Sequence, residues 1–391
     1  MKKIPAVLAL ALIMASPGAS PAAAELCAID AVPAATLLLP YFEVDMGKFP
    51  KLNKVEQTII SIQNFSPDPT IAHVILWTDL SVPTVAFDVF LDGWDVEEVN
   101  LAELFYKGEI RGLRVDAGGG RGFVLGVTPS AGIQTLGELI RAHRGESVDG
   151  KCYGVRTGDN RARGYVTVDH VNEASILFPN DPGYFSSGGS GVASNTNQLF
   201  GFVKVASKKA IQTNELVHIE AASASAGDYT FYGRYVSNSG SDGREPLGTT
   251  WGTRFSTGSE PTELLIWRDS GAVQGPFTCS ELGSSGWYPL DQVQVVAFDD
   301  DGEPMSIDSG PLEDERFFAA EAMRIRINSG ALPSMGIRSG WFYVNLNDSE
   351  VRQSFVWVRQ GLRKRAALHQ ATYFNHACEA TSAPSVSTPI P

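Results

Sequence analysis

Cysteine, histidine and charge are all scarce in this chain. Four cysteines and six histidines stand among 391 residues, and only 19% of positions are charged. No two cysteines share a C-x-x-C spacing, so neither a zinc ribbon nor a thioredoxin-like redox motif is written here. H-E-x-x-H is missing, which removes a common zinc-hydrolase signature. G-x-S-x-G is missing too: "GGSGV" and "GSSGW" both depart at the last position, so there is no nucleophile elbow. A Ser/His/Asp triad drawn from distant segments stays open, because triads are defined by geometry and not by chain order. Basic residues are the minority, 31 against 44 acidic, for a net charge of −13. Nucleic acid or an anionic membrane would need a basic face, so the balance argues against both.

Long apolar runs are absent as well, and no segment reaches the roughly 20 residues of a membrane-spanning helix. The longest, residues 4–14, follows Lys2 and Lys3 and precedes the small residues Ala22-Ala23-Ala24. That order predicts an export signal over residues 1–24, cut before Glu25. Cys27 follows Glu25-Leu26, where a lipid-anchor signal would need small residues, so no lipidated cysteine is expected. The expected localisation is therefore export: periplasmic, cell-surface or extracellular. Cys27, Cys152, Cys279 and Cys378 all follow the signal, and an even count in an oxidising compartment predicts two disulfides.

What the chain does contain is glycine, 39 residues, and many short β-branched or aromatic runs between turn residues. "QTIISIQN" (57–64), "AHVILWTD" (72–79), "RGYVTVDHV" (163–171) and "SFVWVRQ" (354–360) are typical. Such runs predict strands. One stretch differs: "TPSAGIQTLGELIRAHRGE" (128–146) spaces Ile133, Leu136 and Ile140 for a helix, with Thr128 as its expected cap. The expected fold is all-β: two tandem immunoglobulin-like β-sandwich domains, with one inserted helix in the first. The first domain is placed at 25–236, a Gly/Ser-rich linker at 237–250, the second domain at 251–380 and a Ser/Thr/Pro-rich tail at 381–391.

The order of segments occurs twice. "QTIISIQN" has a counterpart in "TELLIWRD" (262–269), and "HVILWTDLSVPT" (73–84) in "QVVAFDDDGEPM" (294–305). "GYVTVDHVN" (164–172) matches "GWFYVNLND" (340–348), and "QLFGFVK" (198–204) matches "QSFVWVR" (353–359). Four segments in one order predict a duplicated sandwich. Duplication would divide the cysteines two and two, which favours Cys27 with Cys152 and Cys279 with Cys378.

Few residues carry obvious chemistry. Asp299-Asp300-Asp301 could be a cation loop, but an EF-hand places oxygens at alternate positions. Asp-Gly after a strand is also a hairpin signal, so a turn is the expectation and a metal site the weak alternative. "AGGGRGFVLG" (117–126) leads into a strand and not a helix, so it is read as a turn and not a phosphate loop. His73, His170 and His218 lie in strands, where partly buried, satisfied imidazoles are usual. The basic run "RQGLRKR" (359–365) could meet an anionic polymer, although a solvated hairpin is the more common role. Trp94, Trp251, Trp287 and Trp341 stand near glycine turns, where they could form a sugar platform or pack a sandwich rim.

Several phrases occur together: "AATLLLPYFEVD" (34–45), "HVILWTDLSVPT", "RARGYVTVDHVN" (161–172), "DPGYF" (181–185), "TFYGRYV" (230–236), "REPL" (244–247), "WRDS" (267–270) and "GPFTC" (275–279). Together they resemble a group of uncharacterised secreted bacterial proteins. The resemblance implies bacterial export and carries no activity. The polar members of these phrases, Arg163, Asp169, Arg234, Arg244, Arg268 and Asp269, are the candidate binding residues; their other role would be a salt-bridge network orienting the two sandwiches. No catalytic residue and no cofactor is indicated. The expectation is an exported, non-enzymatic protein that is structural, adhesive or ligand-binding, with a surface polysaccharide or another exported protein as partner. The alternative is a carbohydrate-binding module or a polysaccharide-active enzyme, which would show two carboxylates facing across a cleft.

Overall fold

Strands form where β-branched and aromatic runs stand between turn residues. The computed structural model describes residues 32–110, 127–130, 132–185, 191–207, 211–221, 230–236, 242–258, 261–269, 275–279, 294–306, 320–327, 338–346, 353–362, 365–370 and 372–373. The expected signal, the Gly-rich run 117–126, Trp287, Cys27, Cys378 and the tail lie outside the described residues.

The chain is all-β, with strands in tandem sandwiches. In the first sandwich, strands β1 (Thr36–Asp45), β3 (Thr70–Thr78), β4 (Pro83–Leu91), β6 (Val127–Pro129), β8 (Arg161–Val171) and β11 (Val217–Ile219) form sheet I, in the order β11-β1-β8-β3-β4-β6. Strands β2 (Gln57–Asn64), β5 (Val96–Asn100), β9 (Leu199–Ala206) and β10 (Ile211–Glu215) form sheet II, in the order β10-β9-β2-β5. In the second, β12 (Thr250–Ser256), β15 (Gln294–Asp299), β16 (Pro304–Ser306), β18 (Ser339–Asn345) and β21 (Thr372–Tyr373) form sheet III, ordered β16-β15-β18-β12-β21. Strands β13 (Glu263–Arg268), β17 (Ala322–Arg326), β19 (Ser354–Leu362) and β20 (Arg365–Gln370) form sheet IV, ordered β17-β13-β19-β20.

These orders carry the duplication further than the sequence did. Reversed, sheet III reads β21-β12-β18-β15-β16, strand for strand the counterpart of β11-β1-β8-β3-β4. Sheet IV reversed reads β20-β19-β13-β17 and matches β10-β9-β2-β5. Register agrees as well. Thr78 faces Gly164 across β3 and β8, and Asp299 faces Gly340 across β15 and β18. Both glycines are required by close approach: a Cβ at Gly164 would stand 1.9 Å from the Trp77 carbonyl oxygen, and one at Gly340 would stand 2.0 Å from that of Phe298. One pairing differs from the sequence alignment. Glu263 opposes Arg359 as Ile59 opposes Lys204, so β2 aligns with residues one position earlier than "TELLIWRD". Since strand faces alternate, that single step decides which side chains look inward. Leu264 and Ile266, counterparts of Ile60 and Ile62, are buried, and Leu265 and Trp267 on the opposite face of the strand are buried as well.

The inserted helix is corrected in two ways. Helix α2 spans Leu136–His143, not 128–146, because Val127–Pro129 pairs with β4 as strand β6. Its cap is Thr135, whose Oγ1 accepts from the Glu138 amide at 3.2 Å while the Glu138 carboxylate accepts from the Thr135 amide at 2.8 Å. This capping box was written in the sequence as T-x-x-E, a better start signal than the apolar spacing. A second helix, α1 (Leu101–Lys107), is also present, capped by Asn100 and ended by Gly108 at φ 69°. Seven residues are too few to display a helical stripe in a sequence.

The cysteine pairing is also corrected. Cys152 is bonded to Cys279, with their Cα atoms 4.9 Å apart, and not to Cys27. The reason is topological. Cys152 lies in β7 (Lys151–Cys152) and Cys279 follows β14 (Phe277–Thr278); among the described residues these two short strands have no counterparts in the repeat, and they pair with each other across the two sandwiches. Duplication therefore does not divide the cysteines.

Candidate functional site

Strand β8 shows why the polar candidates are not on a surface. All of its residues except Arg161 are buried, so both faces of sheet I are covered. One face meets sheet II. The other carries Trp77, Tyr165, Thr167 and Asp169, and residues 230–236, residues 242–244 and the second sandwich close over it. Trp77 and Tyr165 stack with ring centres 5.6 Å apart, Tyr235 lies 5.5 Å from Trp77, and Trp267 of the second sandwich meets Tyr165 edge-on at 6.0 Å. Phe231 stacks on Trp267 at 5.2 Å.

Within these rings lies a charged cluster. The Arg234 guanidinium donates to both carboxylate oxygens of Glu321, at 3.0 Å for Oε2, and to Asp269 Oδ1 at 3.3 Å. It also reaches the Tyr235 hydroxyl at 2.6 Å. Ser81 donates to Glu321, and the Tyr165 hydroxyl donates to Ser81 Oγ at 2.8 Å. Glu321 and Asp269 are 0% and 4% exposed. Burial works against the charge on Arg234, but Glu321, Tyr235, Asp269 and Tyr165 together outweigh it and hold the guanidinium well above its usual pKa. Ser81 comes from the β3–β4 turn, Arg234 from the connection, and Asp269 and Glu321 from the second sandwich. The cluster thus ties three parts of the chain together. Arg268 is fully buried beside it, its amide donating to the Glu321 carbonyl at 2.9 Å.

Asp169 and Arg244 belong to a second network. The Asp169 carboxylate accepts from Thr36 Oγ1 at 2.5 Å, from Tyr184 Oη at 2.6 Å and from Tyr232 Oη at 2.9 Å. Arg244 donates to Thr36 Oγ1, to Asn195 Oδ1 and to the carbonyls of Asp242 and Ser194, at 2.7 to 3.0 Å. The Thr36 hydroxyl therefore bridges the two charges. This network fastens the connection between the sandwiches onto sheet I.

Arg163 stands apart, at the rim. It donates to Tyr41 Oη at 3.2 Å, to Thr157 Oγ1 at 2.6 Å and to Asp159 Oδ1 at 2.9 Å. Partial burial raises the Asp159 pKa, but the hydrogen bonds and charge of Arg163, with the bonds from Thr157 and the Arg161 amide, together outweigh it and bring the value down to about 2. Nearby, Glu43 accepts from Arg161 and, across the sandwich boundary, from Arg324 at 2.9 Å. The six candidates therefore fall into two buried networks and one rim cluster and do not converge on one cleft. Sequence reasoning missed Glu321, Ser81, Tyr184, Tyr232 and Asp242. "DPGYF" and "TFYGRYV" contained the tyrosines, whereas nothing in the pattern around Glu321 marks it.

The acidic turn has an architectural explanation. Asp299 N–H donates to the Glu303 carbonyl, Gly302 N–H to the Asp299 carbonyl, and Glu303 N–H to Asp299 Oδ1. Thr78 to Val82 repeat all three bonds, with Thr78 Oγ1 in place of the carboxylate. The left-handed position is Gly302 at φ 85° in one and Ser81 at φ 55° in the other. Asp300 points outward and pairs with Arg254 at 2.7 Å and Ser339 at 2.5 Å.

Among the strand histidines, His73 meets Asp88 at 2.6 Å and the Leu177 carbonyl at 3.0 Å, and His218 accepts from Gly201 N–H at 3.2 Å. Trp251 is buried, with Nε1 donating to Ser354 Oγ. Trp94 and Trp341 are exposed, at 56% and 45%. Arg359 of the basic run reaches Glu56 at 3.1 Å, and β19 and β20 form a hairpin around that run.

Neither a family model, nor a curated protein, nor a solved structure matches the chain.

One buried carboxyl sets a pH dependence. Asp79 is 3% exposed, accepts from the Val155 amide at 3.0 Å, and burial raises its pKa to about 7. The native state then holds a proton that the unfolded chain has released, so Asp79 contributes stability at low pH that is lost as pH rises from about 4 to 7. His143 acts in the opposite sense, since burial lowers its pKa to about 4 and stability is lost as pH falls below about 6.5. Asp79→Asn keeps an oxygen acceptor and isolates the acidic component. The variant should match the parent at pH 4 and exceed it by a few kcal/mol at pH 8 in urea unfolding. Equal stability of the two proteins at both pH values would refute this.

Proposed function

We propose that this chain is an exported, non-enzymatic structural protein whose two sandwiches act as one rigid body at a cell surface or in an extracellular layer. The observation that carries the reading is the use made of the charged candidates. Asp269, a candidate, and Glu321 share the Arg234 guanidinium between packed aromatic rings. A glycosidase would need two such groups open to a sugar and a water. Here they fasten one sandwich to the other, and the Cys152–Cys279 bond fastens them a second time. Rigidity of this kind serves a load-bearing or spacing part, and export is supported by the basic, apolar and small-residue order at residues 1–24. The test is incubation of purified protein with polysaccharide, ester and peptide substrates and with intact bacterial surfaces. The expected result is retention on the surfaces without turnover. Bond cleavage that disappears in Arg163→Ala or Asp269→Asn would replace this reading with an enzymatic one.

A further inference from the structure

The duplicated fold makes one joint and leaves the two halves of a second joint open. In the joint that is made, the outer face of sheet IV lies against β1 and β8 of the first sandwich. Trp267 meets Tyr165, and Arg324 and Arg359 reach Glu43 and Glu56. Each partner in that joint has a counterpart elsewhere in the chain.

The counterpart of sheet IV is sheet II. By register, Phe202 stands where Trp357 stands, Phe200 where Phe355 stands, and Lys204 where Arg359 stands. The outer face of sheet II is solvated. Phe200 and Phe202 are half-buried on it, with ring centres 5.1 Å apart, and the line of rings continues through Phe65 at 6.1 Å to Trp94 at 5.6 Å. Phe65 and Trp94 are 50% and 56% exposed. Trp94 is held at φ 63°, a strained backbone for a bulky side chain, at a position where packing gives little in return. Exposed, contiguous aromatics of this extent mark interaction surfaces.

The counterpart of β1 and β8 is the pair β12 and β18. Trp341 takes the place of Tyr165 and Phe298 that of Trp77. Where Trp77 and Tyr165 are buried beneath the second sandwich, Trp341 is 45% exposed and touched on its face by Arg254 at 5.6 Å. Charge is compatible with apposition. Lys204 keeps the cation of Arg359 and is paired with Glu98 in its own sheet, and Asp300 beside Trp341 is paired with Arg254, so each face is charge-neutral and the match between them lies in the rings.

We infer that the partner of both open faces is a second copy of this chain: the outer face of sheet II in one molecule docks on β12 and β18 of the next, repeating the joint already made within each chain. The two faces differ, so the contact is head-to-tail and builds an open filament or a ring. The inference rests on the structural reading above and names the partner that such a role requires.

The test uses the oxidised protein and two surface variants, Phe202→Glu and Trp341→Glu, followed by sedimentation velocity over rising concentration. The parent should form a growing series of oligomers, and each variant should stay monomeric with an unchanged melting temperature. A mixture of the two variants should stop at a one-to-one dimer, because each retains the half that the other has lost. A parent that stays monomeric at millimolar concentration overturns the inference. So does assembly that survives in either variant, although the structural role would then stand with a different joint. Binding of cellulose or chitin through Phe202 by a monomeric parent would make the face a sugar platform and overturn it as well. An unpaired mixture of variants also contradicts it. Substrate turnover, by contrast, would remove the structural reading itself.

Discussion

Arg234→Ala is expected to lower the unfolding free energy by about 3–5 kcal/mol, because it removes a cation shared by two buried carboxylates. Asp269 and Glu321 are 4% and 0% exposed, so water cannot replace the guanidinium without opening the contact between the sandwiches. The direct hydrogen bonds to Glu321 and Asp269 would go, and with them the tie to Ser81 and Tyr165 through Glu321. Arg234→Lys should fall between the two, since an ammonium keeps the charge but not the fork that spans both oxygens of Glu321. Urea unfolding of the three proteins measures the series. A loss below about 1 kcal/mol for the alanine variant, the range of solvent-exposed pairs, would mean that the cluster is open to water.

Reduction of the Cys152–Cys279 bond is the second large effect. The bond closes a loop with a sequence separation of 127 residues, and loop-closure entropy for a loop of that length reaches about 5 kcal/mol. Observed losses for native disulfides run from about 2 to 5 kcal/mol, and the same range is expected here. Cys152→Ser combined with Cys279→Ser should reproduce the reduced protein's stability without reductant. Because the bond joins β7 to β14, its loss should also lower the cooperativity between the sandwiches, seen as a broader thermal transition. Identical unfolding curves with and without reductant would show that the two short strands are not crosslinked.

Much of the fold was legible because it is carried by local pattern. "QTIISIQN" sets Ile60 and Ile62 between polar neighbours, "SFVWVRQ" is a continuous apolar run that is buried on both faces, and glycines at 164 and 340 mark the same close approach in both copies. The duplication was legible in segment order. Its register was not, because a one-residue step in "TELLIWRD" leaves a similar apolar pattern on either face. Helix α1 is too short to show a stripe, and the start of α2 is marked by the Thr135–Glu138 box and not by apolar spacing. The site was legible only as a set of residues. Arg234, Asp269, Asp169 and Arg244 are indeed held by polar partners, but which residues share a network depends on contacts over more than a hundred positions, as between Ser81 and Glu321. No spacing rule reaches that far. The cysteine pairing departs from the repeat for a related reason: β7 and β14, which carry Cys152 and adjoin Cys279, have no counterparts among the described strands.

The central claim is that the two copies of the fold are fastened to each other through their non-repeated parts. A non-reducing tryptic map of the native protein tests it most directly. The account predicts that the fragment 152–156 stays joined to the fragment 269–316 until reductant is added. Recovery of Cys152 in a peptide joined to Cys27 would contradict it.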